Sequence, residues 1–365
     1  MSARLRSLDV FRGATIAGMI LVNNPGSWSH IYPPLAHATW HGWTPTDLIF
    51  PFFLFIVGVS LTFSFARRQA EGAGRLDLLS KIWRRALVIF LIGLLLNLIP
   101  RFDFDTVRIP GVLQRIAAAY AIAASLSVLL PPRALRWTAA LLLLGYWLAM
   151  TMVPVPGHGA GVLEPVGNLA QYIDYRLLAG HLWKPEWDPE GLLSTVPAVV
   201  TCLLGVFTGR WLRAPRMPAE HVAGMFVWGS AAVVAGWAWG GWFPINKSLW
   251  TSSYVLFTGG LATMALAICY WVVDVHRRDR WAGPFLVLGS NALLAFVLSG
   301  LAARALIWWK IPGDGGPVAA RTRIYGELAR WLSPNDASLA FAIGYVLLWI
   351  GVMAIVHRKG WHLRV

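Results

Sequence analysis

The stretch LIFPFFLFIVGVSLTFSF, residues 48–65, runs eighteen residues without a charge. As a helix it would be about 27 Å long at 1.5 Å per residue, close to the ~30 Å hydrocarbon core of a bilayer. Ser60, Thr62 and Ser64 alternate with apolar residues only near its end, and eighteen uncharged residues far exceed the length of an ordinary strand, so a helix is the better reading. Asp47 stands just before it and Arg67 and Arg68 just after. The segment reads as a membrane-spanning helix, acidic where it begins and basic where it ends.

Nine further apolar runs follow the same pattern, over 8–22, 82–99, 112–130, 135–153, 192–212, 222–239, 249–273, 284–306 and 339–356. The whole chain agrees. Its 365 residues are 57% hydrophobic and 13% charged, a composition that cannot cover a soluble surface. Backbone amides in lipid need internal partners, and no alternating strands are present to close a barrel. The expected fold is therefore an all-α polytopic helical bundle of about ten transmembrane helices, forming one membrane domain over 1–365. The first run is short and follows Arg4 and Arg6 in the manner of a signal peptide. However, Val22-Asn23-Asn24-Pro25 offers no small-x-small cleavage site, so the run is taken as a helix. Cys202 and Cys269 both lie in apolar runs, which argues against a disulfide framework or a Cys/His zinc centre, and no metal site is expected.

Basic residues set the expected orientation. With the N-terminus inside, nineteen of the thirty-one Lys and Arg fall in inner segments and ten in outer ones, which places both termini in the cytoplasm. The net charge of +14 is then a matter of topology and of attraction to anionic lipid. No basic stripe interleaved with aromatics suggests nucleic acid. Three outer segments are long: 23–47, 154–191 and 307–338, the last with a short amphipathic helix expected around 323–332.

A charge kept at membrane depth is costly and points to function. Asp9 and Arg12 are three apart and meet on one helix face. They read either as an interfacial ion pair or, with Arg4 and Arg6, as a guanidinium cluster suited to phosphate at the cytoplasmic mouth. His37, His41 and Asp47 share the loop before the second span with Thr39, while Asn23 and Asn24 close the first span. An imidazole is suited to proton transfer near neutral pH, and a carboxylate such as Asp47 can orient it. The His37-x-x-x-His41 spacing lacks the glutamate of zinc-peptidase helices.

The strings RLRSLDVFRG (4–13), HATWHGWTPTDLIFPFFLFIVG (37–58), VRIPGVLQRI (107–116), DPEGLLSTVPAVVTCLLGVFTGRWL (188–212), PINKSLWTSSYV (244–255) and GSNALLAF (289–296) carry a resemblance. In this collinear order the chain resembles the membrane domain of the heparan-α-glucosaminide N-acetyltransferase family, including its bacterial NagX-type members. The resemblance implies a multi-pass enzyme of the bacterial inner membrane. It would move acetyl from cytosolic acetyl-CoA to the amine of a glucosamine-type sugar on the outer side. His37 matches the family's active-site histidine, and Asn23 matches an asparagine of its motif at the end of the first span.

The residues accept that chemistry. Arg4 and Arg12 would hold the carrier's phosphates; Arg115, a charge inside the fourth span, is assigned to the carrier as well and needs a partner, Asp103 or Asp105 being the candidates. Asp188, Glu190, Asn246, Lys247 and Asn291 are expected at outer span ends or within a span and are assigned to the amino sugar, though Asp188 also suits a helix cap. Two mechanisms stay open: His37 attacks the thioester, or His37 deprotonates the amine during direct transfer, with Asn23 donating to the oxyanion in both. Two rivals also stay open. An amino-sugar transporter would use the same polar residues, yet no inverted repeat is visible. An envelope polysaccharide O-acyltransferase would share the carrier. The expected partners are acetyl-CoA, the amino sugar and the lipid bilayer, with a homodimer as an option.

Overall fold

The computed structural model describes residues 5–312 and 316–361. Within them the chain forms α1 (Arg6–Asn23), α2 (Ile49–Ala70), α3 (Arg75–Leu98), α4 (Val112–Leu129), α5 (Pro132–Met152), α6 (Leu169–Leu178), α7 (Thr195–Arg213), α8 (Pro218–Trp239), α9 (Ser252–Cys269), α10 (Gly283–Ser290), α11 (Ala292–Trp308), α12 (Ala320–Leu328) and α13 (Pro334–Arg358). The only sheet among the described residues is a two-residue antiparallel pair, Lys310–Ile311 with Val318–Ala319. This is an all-α membrane protein. All ten apolar runs are helical, α9 continuing into a π-helical turn over Tyr270–Val275.

Among the described residues seven helices are long and apolar enough to cross a membrane, and α10 with α11 makes up to an eighth. That pair is broken at Asn291 and bent by 75°. The remaining two runs carry too much charge to qualify alone: α1 holds Arg6, Asp9 and Arg12, and α3 holds Arg75, Asp77, Lys81, Arg84 and Arg85. Packing in the bundle compensates. α1 lies against α2, α10 and α13, while α3 lies along α4. Sequence expectation and structure part at α6, which arises within the long 154–191 segment, and at the short helix near 323–332, which forms as α12 three residues earlier.

α2 and α7 form the centre, flanked by α4 and α9, with Leu54, Val199, Leu203, Trp250 and Tyr254 in one buried cluster. The two central helices touch backbone to backbone. A Cβ on Gly58 would stand 1.9 Å from the Cys202 carbonyl oxygen, and one on Gly205 would stand 2.0 Å from that of Phe55. Small residues at such crossings are the usual route to close helix contact in lipid. The bundle has two distinct ends. At one, Arg213 donates to the Thr62 carbonyl and Arg210 to that of Ser127, joining the C-terminal ends of α7, α2 and α4. At the other, the C-terminus of α1 meets the beginnings of α2 and α4 around a pocket.

Candidate active site

The chain from His37 to Asp47 is shaped before it meets any ligand. Gly42 adopts φ +95°, in the left-handed region that favours glycine, and its N–H donates to the Ile245 carbonyl at 2.8 Å. Thr44 is extended and Pro45 begins a short 3₁₀ turn, Pro45–Leu48, where the missing N–H of proline costs nothing. The turn points the Asp47 side chain inward, where it is 1% exposed. One carboxylate oxygen accepts from the backbone N–H of Ala38 and of Thr44, each at 3.0 Å. The other lies 2.6 Å from His37 Nδ1.

This arrangement fixes the imidazole. A carboxylate accepts hydrogen bonds and does not donate them, so Nδ1 carries the proton and Nε2 keeps the lone pair, which a substrate would share with the Lys247 ammonium. His37 itself is 46% exposed, on the wall of the pocket. Lys247 Nζ lies 3.0 and 3.2 Å from the two ring nitrogens and 3.6 Å from Asp47. Burial pushes the Lys247 ammonium below the ordinary lysine value, and Asp47 and Glu190 pull it part of the way back. Tyr254 donates its hydroxyl to the Asp47 carbonyl, tying the carboxylate's backbone to α9.

The pocket encloses about 400 Å³. Asn23, the last residue of α1, lines it opposite the 37–47 loop, and its side-chain amide makes no hydrogen bond among the described residues. Trp40, Trp183 and Trp187 form a rim in which Trp187 meets both neighbours edge to face, at 5.3 and 5.6 Å. Glu190, Lys184 and Arg108 complete the polar wall. Arg108 grips Asp188 with two hydrogen bonds, at 2.8 and 2.6 Å, and reaches Glu190 at 2.5 Å. Burial works against the Arg108 charge, but the hydrogen bond to Asp188 and the field of Glu190 outweigh it and hold its pKa above the ordinary value. Asp188 also accepts from the N–H groups of Trp183 and Glu190. It is thus the knot of the 183–190 loop.

The structure therefore gathers Asn23, His37, Asp47, Glu190 and Lys247 around one cavity, five residues drawn from four separate segments of sequence. The other candidates lie elsewhere. Arg12 is about 16 Å along α1 from Asn23, donating to Asp9 at 2.8 Å, Ser60 at 2.7 Å and the Gly289 carbonyl at 3.3 Å. Arg115 is buried outside the pocket lining, over the Trp250 ring at 5.0 Å and donating to Gly191 and Ser194. Asp103 does not pair with it and instead accepts from Thr106 and Asp105. Asn246 is fully buried and spends its amide on the Trp40 carbonyl and the Leu249 N–H, clamping the two loops together. Asn291 sits at the α10–α11 break and donates to the Trp361 carbonyl. Asp188 is withdrawn behind Arg108, and Arg4 lies outside the described residues. Sequence reasoning missed Arg108 and the Trp183–Trp187 rim. An arginine two residues before a proline, in an outer loop rich in acids, was the available signal for the former.

A family model described as heparan-alpha-glucosaminide N-acetyltransferase, catalytic, matches residues 4–236. The heparan-alpha-glucosaminide N-acetyltransferase of Homo sapiens is 33% identical over 80% of this chain and 52% of its own length. That of Mus musculus is 34% identical over 80% and 53%. The chain spans about half the length of these curated relatives.

Proposed function

The chain belongs to the heparan-alpha-glucosaminide N-acetyltransferase catalytic family, and from that premise we propose that it transfers acetyl from acetyl-CoA to the amine of a glucosamine-type sugar across a membrane. The observation that carries the proposal is the His37–Asp47 pair, an imidazole oriented by a buried carboxylate and opening on a pocket. In direct transfer the amine lone pair attacks the thioester carbonyl while Nε2 of His37 takes the amine proton. The carbon–sulfur bond then breaks, the proton passes to the departing sulfur, and N-acetyl sugar and CoA leave. The alternative, in which Nε2 itself attacks and holds the acetyl group, uses the same atoms in two steps. Asn23 faces the space where the oxyanion would develop, and one such donor is worth about 2.7–4 kcal/mol.

Several features support this assignment. Glu190 offers a carboxylate acceptor to the N–H and O–H groups of the neutral amino sugar, and the tryptophan rim offers apolar faces to a sugar ring. With α1 and α3 held in the bundle and α10–α11 counted as one crossing, ten crossings leave both termini in the cytoplasm of a bacterial cell and the His37 pocket on the outer face, all within one domain.

Purified protein given acetyl-CoA and glucosamine should release free CoA. His37→Ala should abolish release while thermal unfolding stays unchanged. Labelled acetyl retained on the protein with acetyl-CoA alone would establish the two-step route. Reconstituted vesicles that accumulate amino sugar without any CoA release would sink the enzyme reading in favour of a transporter.

A further inference from the structure

The His37 pocket is not the only cavity among the described residues. A groove of about 570 Å³ opens at the other end of the bundle, between α5 and α8, with α7 and α9 behind it. Phe207, Trp228, Ala232 and Thr263 line its length, and Arg136 and Arg210 stand at its mouth. On α8 the lining runs from Gly224 to Ala232, about 12 Å of helix. No residue is shared with the His37 pocket.

No carboxylate among the described residues forms an ion pair with the arginines at the mouth. Arg210 Nη2 donates to the Ser127 carbonyl at 3.2 Å, but Nη1, which is buried, meets no acceptor among the described residues. No carboxylate lines the groove. Arg213 nearby donates to the Thr62 carbonyl, and Arg216 stacks on the groove residue Trp211 at 4.2 Å, so neither brings negative charge. A guanidinium with a buried, unpaired N–H is matched by a phosphate oxygen. The apolar remainder lies along α8, of whose apolar window only 17% is buried, the lowest share among the candidate spans. The groove therefore faces the bilayer and not the interior of the bundle.

We propose that this groove binds an anionic phospholipid, its headgroup phosphate held by Arg136 and Arg210 and one acyl chain lying along Phe207, Trp228 and Ala232. Basic pockets between helices on the cytoplasmic side are suited to such headgroups. A phosphate alone would leave the apolar length empty, a lipid without phosphate would leave Arg210 unpaired, and a zwitterionic headgroup would bring a further cation to two arginines that no groove carboxylate offsets.

Native mass spectrometry on protein in neutral detergent, titrated with phosphatidylglycerol, tests this. Wild-type protein should retain phosphatidylglycerol in preference to phosphatidylcholine. Arg136→Gln with Arg210→Gln should bind it about 30-fold more weakly, which is about 2 kcal/mol at 1.4 kcal/mol per decade. Ala232→Phe, which fills the groove and leaves both arginines in place, should also reduce retention, and glycerol phosphate should not compete. Equal retention by either variant, equal binding of phosphatidylcholine, or competition by glycerol phosphate would overturn the proposal. So would loss of coenzyme A binding, with lipid retention unchanged, when the arginines are replaced.

Discussion

Asp47→Asn is the substitution that separates orientation from charge at the His37 pair. The new amide has one acceptor atom and one donor group where the carboxylate had two acceptors. The N–H groups of Ala38 and Thr44, both 3.0 Å from the same oxygen, require an acceptor there. The amide oxygen must take that place, so its NH₂ faces His37 Nδ1 across the present 2.6 Å contact. Nδ1 then becomes an acceptor and the ring proton moves to Nε2. The lone pair that the reaction needs is lost, although no atom has moved far. Loss of a positioned base costs about 10²–10⁴ in rate, or roughly 3–5 kcal/mol on the barrier. CoA release should therefore fall by that factor at saturating glucosamine, with KM for the sugar little changed and the unfolding temperature within a few degrees of wild type. A well-folded Asp47→Asn protein that retains a third or more of wild-type kcat would refute the assignment of Nε2 as the working atom.

Three other outcomes are expected. Asn23→Ala should lower kcat about 10²–10³-fold without loss of stability, since the side chain makes no hydrogen bond among the described residues; a purely structural residue would show the reverse in thermal melts. Arg108→Gln should destabilise the protein by about 3–5 kcal/mol in denaturant titration, because Asp188 and Glu190, 0% and 9% exposed, would keep their charges without the guanidinium. Asp174 on α6 has its pKa pushed up to about 6 by burial. The folded state thus holds the proton more tightly than the unfolded chain, and this contribution to stability is full below about pH 4 and lost as pH rises through about 6, on the order of 3 kcal/mol in all. Asp174→Asn should flatten the stability curve between those values, and an unchanged slope would show that the carboxylate is solvated.

The helices were legible because lipid imposes a single solution on backbone amides, and every apolar run is helical. What the runs could not show is continuity, since the break at Asn291 leaves composition unchanged on either side. That His37, Asp47 and Asn23 come together was legible from their clustering beside two span ends, and all three line one pocket. Asn246 and Arg12 lie outside the pocket lining, and a polar side chain near a membrane boundary looks the same in sequence whether it awaits a ligand or is already partnered, as Asn246 is by Trp40 and Leu249 and Arg12 by Asp9 and Ser60. Arg108 went unseen because its value depends on the fold bringing residues 80 and 82 positions away onto it.

The glycine contact between α2 and α7 gives the reactive end a remote lever. Gly58 lies eleven residues beyond Asp47, about 16 Å down the helix. A single methyl group there would collide with the Cys202 carbonyl, and a close-packed interior passes such a wedge along its length and does not absorb it locally. The height of the carboxylate against the imidazole is thus gauged by a shim of hydrogen atoms midway along α2, far from any reacting atom.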